Sequence, residues 1–164
     1  MDKHTRPSKD SYYLNIAAAV SGRSTCLRRQ YGAVIVKNDR IVSTGYNGSA
    51  RNEPNCCDYG ECWREANGIP HGERYELCKA VHAEENAIIN ADPADMVGAT
   101  LYLAGRENGK RIEAPEPCLQ CQRRIRNAQI ERVVVKEGEG LEQHRSGCGG
   151  SYGIEPDGQA DNGR

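Results

Sequence analysis

Tyr31-Gly32-Ala33-Val34-Ile35-Val36-Lys37-Asn38-Asp39-Arg40-Ile41-Val42-Ser43-Thr44-Gly45-Tyr46 reads as two strands around a tight turn. Tyr31 to Val36 is a short apolar run rich in β-branched residues, the pattern of a buried strand. Lys37-Asn38-Asp39-Arg40 is polar and turn-forming, and Ile41 to Tyr46 returns as a second strand. The stretch therefore predicts a β-hairpin.

Working outward, Ser8 to Gly22 reads as an amphipathic helix, with Ser8 as its N-cap and Gly22 near its stop. Asn47 to Arg74 is rich in Gly, Pro, Asn and Cys and has no clear period; inside a compact domain such a loop needs a functional or metal-held explanation. A helix is expected from about Val81, through His82-Ala83-Glu84-Glu85-Asn86-Ala87-Ile88-Ile89, to about Ala91. Thr100 to Ala104 reads as a third strand and Gly105 to Glu116 as a polar connection. Cys118 opens another helix, through Arg123, Ile125 and Ala128, and Ile130 to Val135 is a fourth strand. Helices alternating with strands predict an α/β domain on a mixed sheet, the first pair antiparallel and later strands reached by crossovers. From Gly138 onward the chain is Gly-rich with scattered apolar residues. The expected division is a domain at 1–137 and a flexible tail at 138–164, in which Ser151 to Glu155 is a weak strand.

At 164 residues the chain suffices for one domain with a real core, and its formal net charge is -1. No global positive field attracts nucleic acid or an anionic membrane, so neither is an expected partner. The opening MDKHTRPSKD lacks the apolar segment of a signal peptide, and the apolar stretch around Ile16–Val20 is far too short to span a bilayer. A cytoplasmic location is the expectation. Eight cysteines would suggest a disulfide framework in a small secreted protein. In a reducing cytosol, metal ligation is the better reading.

The chemistry concentrates in His82-Ala83-Glu84 and Pro117-Cys118-Leu119-Gln120-Cys121. His82 and Glu84 are two apart, so they share a pocket only if they sit in the first turn of their helix. Cys118 and Cys121 are three apart, which places both sulfurs on one helical face, with Pro117 set to start that helix. Two helix N-termini would then converge on a metal, their positive ends favouring thiolate over thiol. Two thiolates and a neutral imidazole bring Zn²⁺ to a formal charge near zero and leave a fourth position for water, the arrangement of a catalytic site. Glu84 is the natural base beside it. A lone CxxC would equally suit a redox motif or structural zinc, but redox use leaves His82 and Glu84 without a role.

H-x-E followed by P-C-x-x-C is the signature of zinc-dependent nucleobase deaminases. The match extends to Arg23-Ser24, Arg29-Gln30-Tyr31-Gly32-Ala33-Val34-Ile35-Val36, Ser43-Thr44-Gly45-Tyr46-Asn47-Gly48-Ser49, Asn55-Cys56-Cys57-Asp58-Tyr59 and His82-Ala83-Glu84-Glu85-Asn86-Ala87-Ile88. Through these residues the chain, from about 10 to 136, resembles deoxycytidylate (dCMP) deaminases of the cytidine-deaminase-like superfamily. The resemblance implies a three-layer α/β fold, with a central mixed sheet of four to five strands flanked by helices. It implies a catalytic Zn²⁺ on His82, Cys118 and Cys121 with Glu84 as proton shuttle, and conversion of dCMP to dUMP with release of ammonia. It also implies that Asn47 contacts the sugar hydroxyl or phosphate, that the Ala83 N–H donates to the pyrimidine O2, and that Arg23 and Ser24 lie near the 5′-phosphate. Thr25, Arg28 and Arg29 are further phosphate candidates by chemistry. The resemblance further implies that Gly45 to Gly48 borders a site at which some family members bind dCTP or dTTP as effectors, and that the chain forms a homo-oligomer.

Five cysteines are unused by that site and lie before the first strand or in the long loop. A second, structural Zn²⁺ would hold the loop. Some family members bind one from positions matching Cys26 and Cys56; Cys62 and Cys78 complete the set expected here, with Cys57 and His71 as alternatives. The bland reading is free buried thiols. Cys148 lies in the tail and is expected to be unligated. Two features depart from the family pattern: the Gly105 to Glu113 insertion, close to the expected mouth of the site, and the Gly-rich tail. The rival readings are a deaminase of another cytosine compound, such as cytidine or dCTP, and a non-catalytic zinc protein of the late-competence type. The latter would not need Glu84.

Overall fold

The computed structural model describes residues 5–70 and 73–142. The elements in chain order are α1 (Lys9–Ser21), β1 (Arg29–Lys37), β2 (Arg40–Tyr46), β3 (Gly48–Ser49), α2 (Cys56–Tyr59) and α3 (Trp63–Ala66). A 3₁₀ turn at Tyr75–Leu77 follows, then β4 (Ala80–Val81), α4 (Ala83–Ile89), α5 (Pro93–Met96), β5 (Thr100–Glu107), β6 (Lys110–Arg111), α6 (Leu119–Asn127), β7 (Arg132–Lys136) and β8 (Glu139–Glu142).

The hairpin forms as the sequence predicts, Lys37 facing Arg40 across a turn in which Asn38 and Asp39 adopt positive φ. It heads a mixed sheet of order β2-β1-β5-β7-β8, with the short β6 added to the end of β5. β1 pairs antiparallel with β2 and β5, while β5 and β7 run parallel, joined across α6. Each face carries its own apolar cluster. Tyr13, Leu14 and Ala17 of α1 meet Val34, Val36, Tyr102, Ala104 and Val134 on one side. Ala83 and Ala87 of α4 and Ile125 of α6 meet Ala33, Ile35, Leu101, Leu103 and Val133 on the other. Strands covered on both faces read as continuous apolar runs, which is why β1 shows no alternation. The result is the expected three layers.

Two glycines let the helices approach this closely. A Cβ on Gly32 would lie 2.2 Å from the Ala17 carbonyl oxygen of α1, and one on Gly45 2.3 Å from both the Ala83 carbonyl oxygen and the Ala87 nitrogen of α4. A half-buried Asp10–Arg132 pair, 2.8 Å at its shortest, ties α1 to β7, and Tyr102 donates to the same carboxylate at 3.0 Å.

Several boundaries differ from expectation. The second helix begins at Ala83, because Val81 is claimed by β4 in its pairing with Gly48 of β3. The segment read as a polar connection folds back as a β5–β6 hairpin, its turn made by Asn108 and Gly109 at positive φ. α5 is an addition, capped by Asp92 with Pro93 in its first turn. The sheet also runs past residue 137, since β8 pairs with β7. Cys148 and the Ser151–Glu155 segment, like His71, lie outside the described residues.

Candidate active site and metal centre

His82 is not inside a helix. It is the N-cap of α4, in extended conformation (φ -72°, ψ 156°), and its carbonyl accepts from the Asn86 N–H at 3.0 Å. The β3–β4 pairing delivers the chain to that position, so His82 leaves a strand end while Glu84 occupies the second helical residue. This resolves the spacing problem: in the first turn the two side chains serve one pocket. Gly45 brings β2 against the same turn.

The dithiol is built the same way. Cys118 is the N-cap of α6 (φ -64°, ψ 163°) and Cys121 lies three residues on, on the same face. Pro117 therefore sits one position before the cap, outside the first helical residue, and its carbonyl accepts from the Gln122 side chain at 2.9 Å. The Arg124–Glu85 ion pair, 3.1 Å, joins α6 to α4.

These two helix starts bring three donors together. His82 Nδ1 lies 3.5 Å from Cys118 Sγ and 3.4 Å from Cys121 Sγ. All three donor atoms fall within 4.8 Å of one another, and this is the one such His, Cys or carboxylate group among the described residues. A hydrogen bond from the Cys121 thiol, and then one from His82, holds the Cys118 thiol down to about 3. Cys121 is pushed up because it keeps the shared proton and is buried. The Cys118 bond and the neighbouring carboxylates raise His82 against its desolvation. A ready thiolate, a second thiol and an imidazole with Nδ1 turned inward fit Zn²⁺ in donor type and count. Loading displaces the protons they share.

Glu84 is 5% exposed. Burial raises its carboxyl above the ordinary range, partly offset by a backbone N–H and by His82. A buried carboxyl poised above its usual range, beside a metal site, has the properties of a proton carrier.

The nucleotide-binding candidates separate. Asn47 is 7% exposed. Its Oδ1 accepts from Ser24 Oγ at 2.6 Å and from the Tyr31 N–H at 2.7 Å, and its Nδ2 donates to the Arg29 carbonyl at 2.9 Å. It thus knots the end of β1 to the segment after α1. Ala83 is fully buried and Arg23 is exposed. Arg28 pairs with Glu65 at 2.8 Å, and Arg29 makes a bidentate pair with Glu107 at 2.8 and 3.1 Å. The Thr25 and Ser49 hydroxyls are buried without a partner among the described residues.

Cys26, Cys56, Cys62 and Cys78 are near enough that their thiols, after burial, raise Cys56. They are not gathered to ligand distance. Cys57 is exposed and turned toward Asp58.

Three residues near the site were not singled out from sequence. The Tyr31 ring covers Gly105, where a Cβ would lie 2.7 Å from it, and it lies in the field of Glu84. The Tyr75 ring meets His82, and Arg64 stacks on Tyr75. The insertion at residue 105 is therefore fixed to the site through Tyr31 and the Arg29–Glu107 pair.

An imidazole and two thiols beside a buried carboxyl, at helix starts in a three-layer α/β fold, define a zinc-dependent hydrolytic deaminase. The chain belongs to the family of the cytidine and deoxycytidylate deaminase zinc-binding region, which it matches over residues 7–137. It is 40% identical over 135 residues to the deoxycytidylate deaminase of Mycobacterium phage D29, covering 79% of this chain and 95% of that one. It is 33% identical over 152 residues to the deoxycytidylate deaminase of Schizosaccharomyces pombe, covering 92% of this chain but only 44% of that longer one. Among solved structures, the dCMP deaminase of cyanophage S-TIM5 in complex with dCMP and dUMP superposes with a TM-score of 0.56 at 27% identity, covering 79% of this chain and 82% of that one. No helix among the described residues is long and apolar enough to cross a membrane.

Proposed function

We propose that the chain is a deoxycytidylate deaminase that converts dCMP to dUMP in the cytoplasm. The observation carrying this reading is Glu84, buried beside the His82–Cys118–Cys121 donor set. Zn²⁺ on those three residues supplies Lewis acidity and an activated water at neutral pH. Glu84 takes the proton of the attacking water and delivers it to ring N3 as the C4–O bond forms. It then takes the remaining proton from the C4 hydroxyl as the C4=O carbonyl forms and passes it to the departing amine as the C4–N bond breaks, releasing ammonia. The Ala83 N–H, at the start of α4, donates to the pyrimidine O2. Asn47 holds the sugar edge with its remaining Nδ2 hydrogen, and its other bonds keep the amide fixed.

Arg23 and Ser24 serve the 5′-phosphate. Arg28 and Arg29 are each occupied by a carboxylate, which favours Arg23 as the cation. The unpartnered Thr25 hydroxyl is a group that a bound polar ligand would satisfy. A second, structural Zn²⁺ on Cys26, Cys56, Cys62 and Cys78 is supported by the influence of the Cys26, Cys62 and Cys78 thiols on Cys56. Response to dCTP or dTTP and assembly as a homo-oligomer rest on the resemblance to the family.

Purified protein given cytosine, cytidine, deoxycytidine and their mono-, di- and triphosphates, with ammonia release followed, tests the reading. Turnover is expected fastest on dCMP. Preference for a nucleoside or a triphosphate moves the substrate assignment, and no turnover on any pyrimidine removes the deaminase reading. Metal analysis tests the second site: about two zinc ions per chain are expected if both sites fill, and one counts against it.

A further inference from the structure

We propose that Tyr75 is a positioning residue for the metal ligand His82, and that Arg64 is the brace behind it. Tyr75 opens the 3₁₀ turn at Tyr75–Leu77, in the long segment between β3 and β4. Its ring meets the His82 imidazole at a centroid separation of 5.9 Å, with the planes at 85°. That is the favoured edge-to-face geometry of an aromatic pair. The Arg64 guanidinium lies over the same Tyr75 ring, 4.7 Å from its centroid.

Arg64 is not a surface arginine resting on an aromatic ring. It is 5% exposed. Its Nη2 donates to the Pro70 carbonyl at 3.0 Å and also to the Glu73 carbonyl. A buried guanidinium is costly unless its surroundings compensate it, and here two carbonyls and an aromatic face do so. Its Nε is buried without a partner, so the arrangement leaves a cost uncovered. The side chain is thus committed to one place, and that place supports Tyr75.

The need for such support lies in the imidazole. His82 must keep Nδ1 turned toward Cys118 and Cys121 for a metal to be bound. One ring nitrogen fixes one point, and rotation about the Cβ–Cγ bond is left to a second contact. Metal-binding histidines usually get that contact from an acceptor on the other nitrogen. In this chain an aromatic ring supplies it, delivered by the loop. If Tyr75 only packed the loop, losing its ring would lower thermal stability and leave metal affinity unchanged. If it positions His82, affinity itself falls. The inference rests on the metal centre and not on which cytosine compound is the substrate, so the two readings fail separately.

The test uses the full chain labelled with ¹⁵N-histidine, titrated with Zn²⁺ against a competing chelator. The His82 Nδ1 resonance, assigned with His82→Asn, reports occupancy at this ligand alone. Tyr75→Phe keeps the ring and should stay within about twofold of the wild-type affinity, while Tyr75→Leu should weaken zinc about tenfold with the far-ultraviolet circular dichroism retained. Arg64→Lys, which keeps the charge but loses the planar stack, should weaken it about threefold. Wild-type affinity in folded Tyr75→Leu overturns the proposal. Should that variant fail to fold, Arg64→Lys decides: weaker zinc supports the coupling, and unchanged zinc overturns it.

Discussion

Glu84 is the residue whose removal separates metal binding from chemistry. It lies beside the three donors without being one of them. Glu84→Gln keeps the volume and loses the proton carrier; turnover should fall by about 10²–10⁴-fold while zinc content stays at the wild-type level. Retained activity in that variant would mean another group moves the proton. Cys121→Ser should instead lose zinc and activity together, as measured by metal analysis of the purified variant. These residues were legible in the sequence because ligand chemistry restricts residue type and spacing at once. Tyr31, Tyr75 and Arg64 were not. Tyr31 was readable as part of a strand but not as a neighbour of the site. Tyr75 and Arg64, in a polar loop, have no pattern until folding places one against the other.

At the scale of elements, the two faces of the sheet make different demands. On the α4 face the close approach at Gly45 decides where His82 and Glu84 stand, because the obstructing atoms are backbone. Gly45→Ala must push α4 off β2. A loss of about 1–3 kcal/mol in urea unfolding is expected, together with weaker zinc binding. On the α1 face the Asp10 carboxylate is held below its ordinary value of 3.8, first by the Arg132 hydrogen bond and then by Tyr102. Its contribution is therefore fully present above that ordinary value and is lost as pH falls through the depressed one. Asp10→Asn should cost about 1–2 kcal/mol near neutral pH, and the difference from wild type should vanish in unfolding curves taken at strongly acid pH. The first helix, the hairpin and the buried strands were readable because cap, turn and apolar run coincide there. The β5–β6 hairpin was not, although Asn108-Gly109 is a strong turn signal. Its flanks, Arg106-Glu107 and Lys110-Arg111, carry no apolar alternation, and their pairing depends on β1 lying alongside.

For the whole molecule, metal and fold are linked. The donors come from two helix starts far apart in sequence, so a metal that binds only their folded arrangement stabilises that arrangement. Saturating Zn²⁺ should raise the thermal midpoint by on the order of 10 °C over metal-free protein in calorimetry. His82→Asn should abolish the part of that rise due to this site. The sequence by itself determined an α/β domain on a mixed sheet, its four longest strands, the donor set and the carboxyl beside it, because periodicity, capping and ligand chemistry are local properties. The three layers were implied by the family resemblance. Only the tertiary structure decided that His82 caps its helix from a strand end, that Glu107 and not a ligand faces Arg29, that Asn47 is tied into a knot, and that Tyr75 stands against the imidazole. Those depend on contacts between segments distant along the chain, and the close approach of packed backbones sets them.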